Sequence, residues 1–545
     1  MKHNLPFSRA TVALFSATLG LATPVMAQDL APAPIIKAVP TVPQQLDFQT
    51  TYEGEASSFI VNELASSLLQ FDTASLKAAG CGQMPDVQTG LRPNLAESWT
   101  VDPDGKFVEF KLRQGVKSAA GNEMTAKDVK WSIDRGLKQS PIMRFLAFKI
   151  DSFEEEPVEI VDDYTIRVKT KSRTIFDLVI FHWSQFEIYD SAVVQEHVSD
   201  ADPVAAEWLK KNSPNFGPWQ LSEAGFMPGQ RVTMQPNPNY WDAEGRGNGN
   251  SLIVLGVPES STRAQLLRSG EIDFAAVLPF DEYASLKEAD GVTVENCVSA
   301  ARDTLLLNYE DEHLGNPLVR QAISYAIDRE AIVQGVFKGF AKPAVSGISA
   351  SYNVEGLENY ISHDLEKAKA LMTEAGYADG FSMSFVVSPT RPGSHAEQEA
   401  IFIKDSLAKI GITADIELVA SGTTFSERFF KGNYQAMLYQ ELPAFADPFY
   451  SLSLMNYGES FQNTYHYKNA DYDKLVSEGL HLSADKTDRR NEILVELSKI
   501  MAKDRPQVYL IDTGIPQARS SSVAGWEIQM HSAGNITAYK LKKSQ

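Results

Sequence analysis

Residues 95–135 carry more structural information than any other stretch of comparable length in this chain; they read LAESWTVDPDGKFVEFKLRQGVKSAAGNEMTAKDVKWSIDR. A polar turn at 102–105 is followed by an alternating strand at 107–112. A helix is then predicted to begin at Thr125, because Asp128 stands three residues later, as in a capping box. These local patterns predict a turn, a strand and a helix, but they do not by themselves identify a fold family.

The first 27 residues have the pattern of a cleavable secretory signal. Lys2 and Arg9 give a basic start, a mostly apolar run follows, and small residues lead up to Ala27. We expect cleavage after Ala27, and no lipid anchor, since no cysteine lies at the cleavage site. No later run of about 18 apolar residues occurs, so the sequence predicts no membrane anchor. The periplasm is the predicted location, with full secretion as the alternative.

The composition is acidic and rich enough in apolar residues for several cores. The formal net charge of −20 becomes −22 once Lys2 and Arg9 leave with the signal, which argues against nucleic acid or anionic lipid as a partner. With 545 residues, 43% of them hydrophobic, the chain is long enough for roughly two to four domains.

The chain has two cysteines, Cys81 and Cys297. An exported protein meets conditions that permit oxidation, so the two could form one disulfide. The alternative is two separate buried thiols.

No pattern in the sequence predicts catalysis. The chain lacks the HExxH, GxSxG, SxxK, Walker and CxxC motifs, and its nine histidines form no spacing typical of a metal site. We therefore predict no cofactor, no metal and no enzymatic activity. The rival is a secreted hydrolase, which would need a nucleophile beside a base, or a metal, in a cleft.

As a whole, residues 95–135 closely resemble the signature region of the large solute-binding proteins of ABC importers, the family of dipeptide- and oligopeptide-binding proteins. Further matching segments follow in the family's order, so that the resemblance covers residues 46–543. They include FGPW and NPNYW within 214–241, SGEID at 269–273, VRQAI and AIDR within 308–329, and YHYKNADYDKL at 465–475.

The resemblance implies an α/β, two-lobed periplasmic-binding-protein fold with an extra inserted α/β subdomain. By analogy, lobe I comprises 45–72, 190–303 and 517–545, the inserted subdomain 73–189, and lobe II 304–516. Before lobe I, the signal peptide occupies 1–27, and the proline-rich segment 28–44 predicts a flexible leader.

The resemblance also indicates where a ligand would bind. In dipeptide-binding members an Arg-Pro pair in a loop of the carboxy-terminal lobe binds the ligand carboxylate, and this chain has Arg391-Pro392. A guanidinium suits that task because it stays charged and is planar; an exposed loop arginine is the alternative. The family's amine-binding aspartate would stand at Ala444, three residues before Asp447, so Glu441 or Asp447 would have to replace it.

Other predicted contacts are aromatic or polar. Tyr439 and Phe445 lie close to Glu441 in sequence, and such rings line ligand pockets as well as ordinary cores. His395 and Tyr52 complete the predicted ligand-binding set. Tyr52 belongs to the region where family members approach the ligand.

The predicted function is that of a monomeric, periplasmic solute-binding component of an ABC importer, which binds a small organic solute by hinge closure. Its partners are the permease and ATPase subunits. A peptide is the favoured ligand; the alternatives are an opine-like carboxylate, an oligosaccharide or an aromatic acid. A binding component that serves a chemoreceptor or acts as a chaperone would be a different class.

Overall fold

A computed structural model describes most of the chain. The described residues are 33–50, 55–71, 90–145, 147–148, 153–172, 174, 176–243, 251–297, 299–443, 447–482, 486–525, 528–529, 535–536 and 538–544.

One large sheet has seven strands and is built from both ends of the chain. The strands, in spatial order, are Val292–Cys297, Ile515–Ser520, Phe274–Ala275, Ile35–Val39, Leu252–Gly256, Arg231–Pro236 and Trp219–Met227. The hairpin predicted within 214–241 is confirmed, since its last two strands pair antiparallel.

The flexible leader predicted at 28–44 differs from the structure. Ile35–Val39 is an inner strand of this sheet and pairs in parallel with both Leu252–Gly256 and Phe274–Ala275. Its run of apolar, mostly β-branched residues favours a strand, and Pro34 and Pro40 only flank it. Pro34 and Pro40 therefore lie at the two ends of a strand, and the prediction of a flexible leader is wrong for this part of the segment.

A second sheet has six strands and belongs to the predicted lobe II. In spatial order these are Ala341–Pro343, Val508–Thr513, Arg302–Leu307, Ala436–Glu441, Phe381–Val387 and Ile412–Leu418. The strand Arg302–Leu307 is buried at every residue, so any charged side chain on it lies inside the lobe.

The segment 95–135 forms part of a smaller sheet inside the predicted inserted subdomain. Its four strands, all antiparallel, are Ala96–Val101, Phe107–Leu112, Thr165–Thr170 and Phe153–Asp162. The predicted helix spans Ala126–Gln139, and its capping box is formed by Thr125 and Asp128. Strand and helix are thus confirmed where the local pattern placed them.

The remaining strands of the described residues form three short pairs. They are Leu69–Phe71 with Leu91–Pro93, Val523–Ala524 with Lys542–Lys543, and Ile528–Gln529 with Asn535–Ile536.

Helices cover the sheets. The other α-helices are Glu55–Leu64, Pro141–Phe145, Ser191–Gln195, Ala206–Leu209, Ser260–Arg268, Phe280–Leu286, Pro317–Ala326, Arg329–Gly335, Leu365–Glu374, Ala396–Ala408, Gly422–Phe430, Pro448–Met455, Ala470–Leu480 and Thr487–Asp504. Short 3₁₀ helices span Val179–His182, Ser184–Phe186, Ala350–Tyr352 and Ala538–Lys540. Among the described residues no helix combines the length and the apolar character needed to span a bilayer.

The chain crosses between the two large sheets at two neighbouring places. One crossing lies between Cys297 and Arg302, and the other is Gly514 alone, between Thr513 and Ile515. The strands before and after the crossings are paired with each other in both sheets, and the Thr513 amide donates to the Ala301 carbonyl at 3.0 Å. The two crossings therefore run side by side, which is the arrangement of a hinge.

Candidate functional site

Arg391 is held in a fixed orientation on the loop after the strand Phe381–Val387. Its Nε donates to the Gln440 carbonyl at 2.9 Å, and its guanidinium carbon lies 4.3 Å from the centroid of the Tyr439 ring. The side chain is half-buried. Among the described residues, no carboxylate forms an ion pair with Arg391. Within the described part of the chain, this guanidinium thus keeps its charge without a carboxylate partner.

Tyr439 is the aromatic platform beneath Arg391. The residue is buried, and its ring stacks on Phe429 with centroids 4.5 Å apart and planes 7° apart. Burial raises the pKa of its hydroxyl, although the charge of Arg391 opposes the rise. The ring therefore remains a neutral surface that fixes the guanidinium by a cation–π contact.

Glu441 ends the same strand, two residues after Tyr439, so the two side chains point to the same face of the sheet. It is buried, and its Oε1 accepts a hydrogen bond from Gln507 Nε2 at 2.9 Å. Burial raises the pKa of the carboxyl, while the nearby charge of Arg302 and the bond from Gln507 oppose the rise. A second cation beside Glu441 would favour its ionised form.

A small cavity of about 10 Å³, roughly the space of one water molecule, lies in front of Glu441. Tyr352, Ser349 and Ser451 are among the residues that line it together with Arg302. Arg302 is itself neutralised, because its Nε and Nη2 donate to Asp512 Oδ1 at 3.0 and 2.6 Å. The cavity thus offers hydroxyl groups and one carboxylate that is not taken up by this ion pair.

Asp447 has structural partners for both carboxylate oxygens. Oδ1 accepts from the Phe449 amide at 2.8 Å and so caps the helix Pro448–Met455. Oδ2 accepts from Arg490 Nη2 at 2.6 Å. Of the two acids that the sequence offered in place of the missing amine anchor, Glu441 has the more suitable surroundings.

His395 lies apart from the Tyr439 platform, in a cluster with two buried acids. Its Nε2 is 2.9 Å from Asp303 Oδ2 and 4.0 Å from Glu399 Oε2. Gln440 connects this cluster to Arg391, because its side-chain amide donates to Asp303 Oδ1 at 2.9 Å while its carbonyl accepts from Arg391.

The predicted residues Tyr52, Phe445 and Cys81 lie outside the described part of the chain. Ala444 lies outside it as well. Cys297 is described, and it is disulfide-bonded. Its pairing with Cys81, the only other cysteine of the sequence, stays a prediction.

Sequence reasoning missed Arg302, Asp303 and Glu399. Two patterns in the sequence could have indicated them. The charged residues Arg302 and Asp303 stand side by side at the start of the mostly apolar strand Arg302–Leu307, and Glu399 follows His395 by one helical turn.

The chain matches the model of a known protein family. The model is that of the bacterial extracellular solute-binding proteins, family 5 (middle part), and it matches residues 90–463.

Individual relatives cover most of the chain. The probable D,D-dipeptide-binding periplasmic protein DdpA of Escherichia coli (strain K12) is 29% identical over 447 residues, which are 80% of this chain and 82% of the relative. The glutathione-binding protein GsiB of Salmonella typhi is 27% identical over 450 residues, 80% of this chain and 83% of the relative.

A solved structure shares the fold. The ABC transporter-associated periplasmic binding protein DppA of Helicobacter pylori, in complex with the peptide STSA, superposes with a TM-score of 0.76 at 24% identity. The match covers 94% of this chain and 98% of that one. The predicted two-lobed periplasmic-binding-protein fold is thereby confirmed.

Proposed function

The chain belongs to family 5 of the bacterial extracellular solute-binding proteins, and we propose on that premise that it binds a small peptide or peptide-like carboxylate in the periplasm and delivers it to an ABC importer. The relatives named as D,D-dipeptide-binding and glutathione-binding support a peptide-class ligand. No covalent chemistry is needed for this task, and the partner ATPase subunits supply the energy.

The observation that supports this proposal is the fixed orientation of the Arg391 side chain. Its Nε is bound to Gln440 and its plane is fixed against Tyr439, so little side-chain entropy is lost when an anion arrives. A carboxylate accepts two parallel hydrogen bonds from such a planar group. We assign Arg391 to the carboxylate end of the ligand.

Glu441 is the residue that we assign to the ligand's amino group. An α-ammonium enclosed without a counter-charge would lose heavily on desolvation. Glu441 lies on the same face of the strand as Tyr439, and the ring of Tyr439 contacts the guanidinium of Arg391. A zwitterionic solute that reaches both side chains would meet a cation at one end and an acid at the other.

Hinge closure would let the permease distinguish the ligand-bound protein from the empty one. The crossings at residues 299–301 and at Gly514 would allow one lobe to rotate against the other, and a solute that contacts both lobes would shift the equilibrium towards the closed form by its differential affinity. The chain acts as a monomer in this scheme.

Calorimetric titration of the mature protein with three versions of one dipeptide tests the assignments: free ends, amino-acetylated and carboxyl-amidated. We expect the free peptide to bind, and Arg391→Ala to weaken it by about 2–5 kcal/mol. Amidation should weaken binding to the wild type and have little further effect on the variant. Glu441→Gln should mainly lower the affinity for peptides with a free amino group.

Arg428→Ala is the matched control, because Arg428 forms a surface ion pair with Glu417 in the same lobe. It should leave peptide affinity unchanged. Equal affinities of wild type and Arg391→Ala would contradict the role of Arg391. Binding that is confined to opines, sugars or aromatic acids would contradict the peptide class and leave the transport role intact.

A further inference from the structure

Three ligating atoms of different residues converge beside the predicted solute site. Asp303, His395 and Glu399 each contribute one atom, and the three atoms lie within 4.8 Å of one another. His395 Nε2 faces both carboxylates, at 2.9 Å from Asp303 Oδ2 and 4.0 Å from Glu399 Oε2. The cluster thus combines one imidazole with two carboxylates.

The protein fixes each member of the cluster before any ligand arrives. Asp303 lies on the buried strand Arg302–Leu307, and Gln440 Nε2 holds its other oxygen, so that Oδ2 faces His395. His395 and Glu399 lie one turn apart at the start of the helix Ala396–Ala408, on the same side of it. Such support behind the ligating atoms is typical of metal sites.

Glu399 supplies a second, independent observation. Its side chain is fully buried, and neither carboxylate oxygen accepts a hydrogen bond from a donor of the described residues. Within the described part of the chain no lysine or arginine pairs with either acid. A buried carboxylate without a donor or counter-charge is costly, and a bound cation would remove this cost.

We propose that Asp303, His395 and Glu399 form a binding site for a divalent transition-metal ion of the Zn²⁺ class. Zn²⁺ binds imidazole nitrogen and carboxylate oxygen at about 2.0–2.2 Å, so two tetrahedral ligands stand roughly 3.3 Å apart. The separations of 2.9 and 4.0 Å bracket this value. Mg²⁺ and Ca²⁺ prefer oxygen ligands and more of them, so this nitrogen-containing set of three disfavours both.

A groove gives the ion access to the cluster. It has a volume of about 610 Å³ and is lined by residues of both predicted lobes, among them Phe280, Lys338, His395 and Gln398. The ring of Phe280 lies 5.5 Å from that of His395. His395 is the member of the cluster that lines the groove, so an ion would meet the imidazole first and then the two acids.

Titration with metal salts tests the site in the full-length mature protein, freed of any affinity tag and stripped with a chelator. We expect one Zn²⁺ per chain by calorimetry and, with Co²⁺ as the probe, the visible absorption of a four-coordinate complex. His395→Ala and Glu399→Gln should each lower the Zn²⁺ affinity by more than about tenfold. Even the loss of a residue that only hydrogen-bonds to a metal ligand lowers metal affinity by about 10- to 100-fold. MgCl₂ should give no heat.

His481→Ala is the control, because His481 is exposed at the end of the helix Ala470–Leu480. It should leave Zn²⁺ binding unchanged. Glu399→Gln preserves the shape of the side chain, so it decides the question even if His395→Ala does not fold.

Two results would overturn the proposal: no Zn²⁺ binding to the stripped wild type, or binding that survives in Glu399→Gln. Either would mean that these three residues do not form a metal site. Titrating the metal in the absence of peptide, and the peptide in the presence of chelator, separates a failure of this site from a failure of the solute site, although the two share Gln440.

Discussion

Replacing Glu187 by Gln should change how the stability of the protein depends on pH. Glu187 is fully buried, and its two oxygens accept hydrogen bonds from the Tyr189 hydroxyl at 2.6 Å and from Asn215 Nδ2 at 3.0 Å. Burial raises its pKa from 4.5 to about 8, against the opposing effect of those bonds. Between these two values the folded protein keeps a proton that the unfolded chain has lost.

The sign and size of the effect follow from this difference in bound protons. Because the folded state binds more protons, the free energy of unfolding falls as the pH rises from about 4.5 to about 8 and levels off beyond that. At about 1.4 kcal/mol per pKa unit, the loss through this group is of order 5 kcal/mol. Glu187→Gln cannot ionise and loses at most one hydrogen bond, which is worth about 1 kcal/mol.

We therefore expect the variant to be slightly less stable than the wild type at pH 5 and clearly more stable at pH 8. Urea unfolding followed by tryptophan fluorescence at both values measures this. Glu63, whose pKa is also raised to about 8 by burial, titrates in both proteins, so its contribution cancels in the comparison. Glu159→Gln, at an exposed position, is the control. Parallel stability curves for wild type and Glu187→Gln would refute the reasoning.

Three further predictions concern the buried ion pair of Arg302 and Asp512, the disulfide and the cleavage of the signal peptide. Arg302→Met should lower stability by about 3–5 kcal/mol, because it leaves Asp512 buried without its partner; the double variant with Asp512→Asn should recover part of this loss in thermal unfolding, and no recovery would show that the pair is not the cause. Thiol titration of the unfolded, unreduced protein should find no free thiol, whereas two would rule out the bond between Cys81 and Cys297. Mass spectrometry of the exported protein should find Gln28 as the first residue, and a retained Met1 would contradict cleavage.

Local signals in the sequence were sufficient where the structure is local. The capping box of Thr125 and Asp128 involves residues three apart, and the hairpin within 214–241 joins neighbouring strands. Short-range hydrogen bonds and side-chain periodicity determine such elements, so they can be read from one sequence.

Elements that depend on distant partners could not be predicted in the same way. Ile35–Val39 becomes an inner strand only because Leu252–Gly256 pairs with it, more than 200 residues later. The acidic pair of Asp303 and Glu399 is likewise brought together by a strand and a helix that are far apart in the chain. The family resemblance indicates Arg391 as a ligand-binding residue, and this role stays a prediction. Its contacts with Gln440 and Tyr439 could not be predicted from the sequence, because they depend on how two strands pack.

The two adjacent chain crossings limit the ways in which the protein can change shape. Two short tethers placed side by side define an axis; a body attached along an axis can turn about it, but it cannot slide or twist freely. Opening then reduces to a single angle. We expect any pair of labels on opposite lobes to report the same transition, and a permease that touches both lobes to need only this one coordinate to distinguish a loaded from an empty protein.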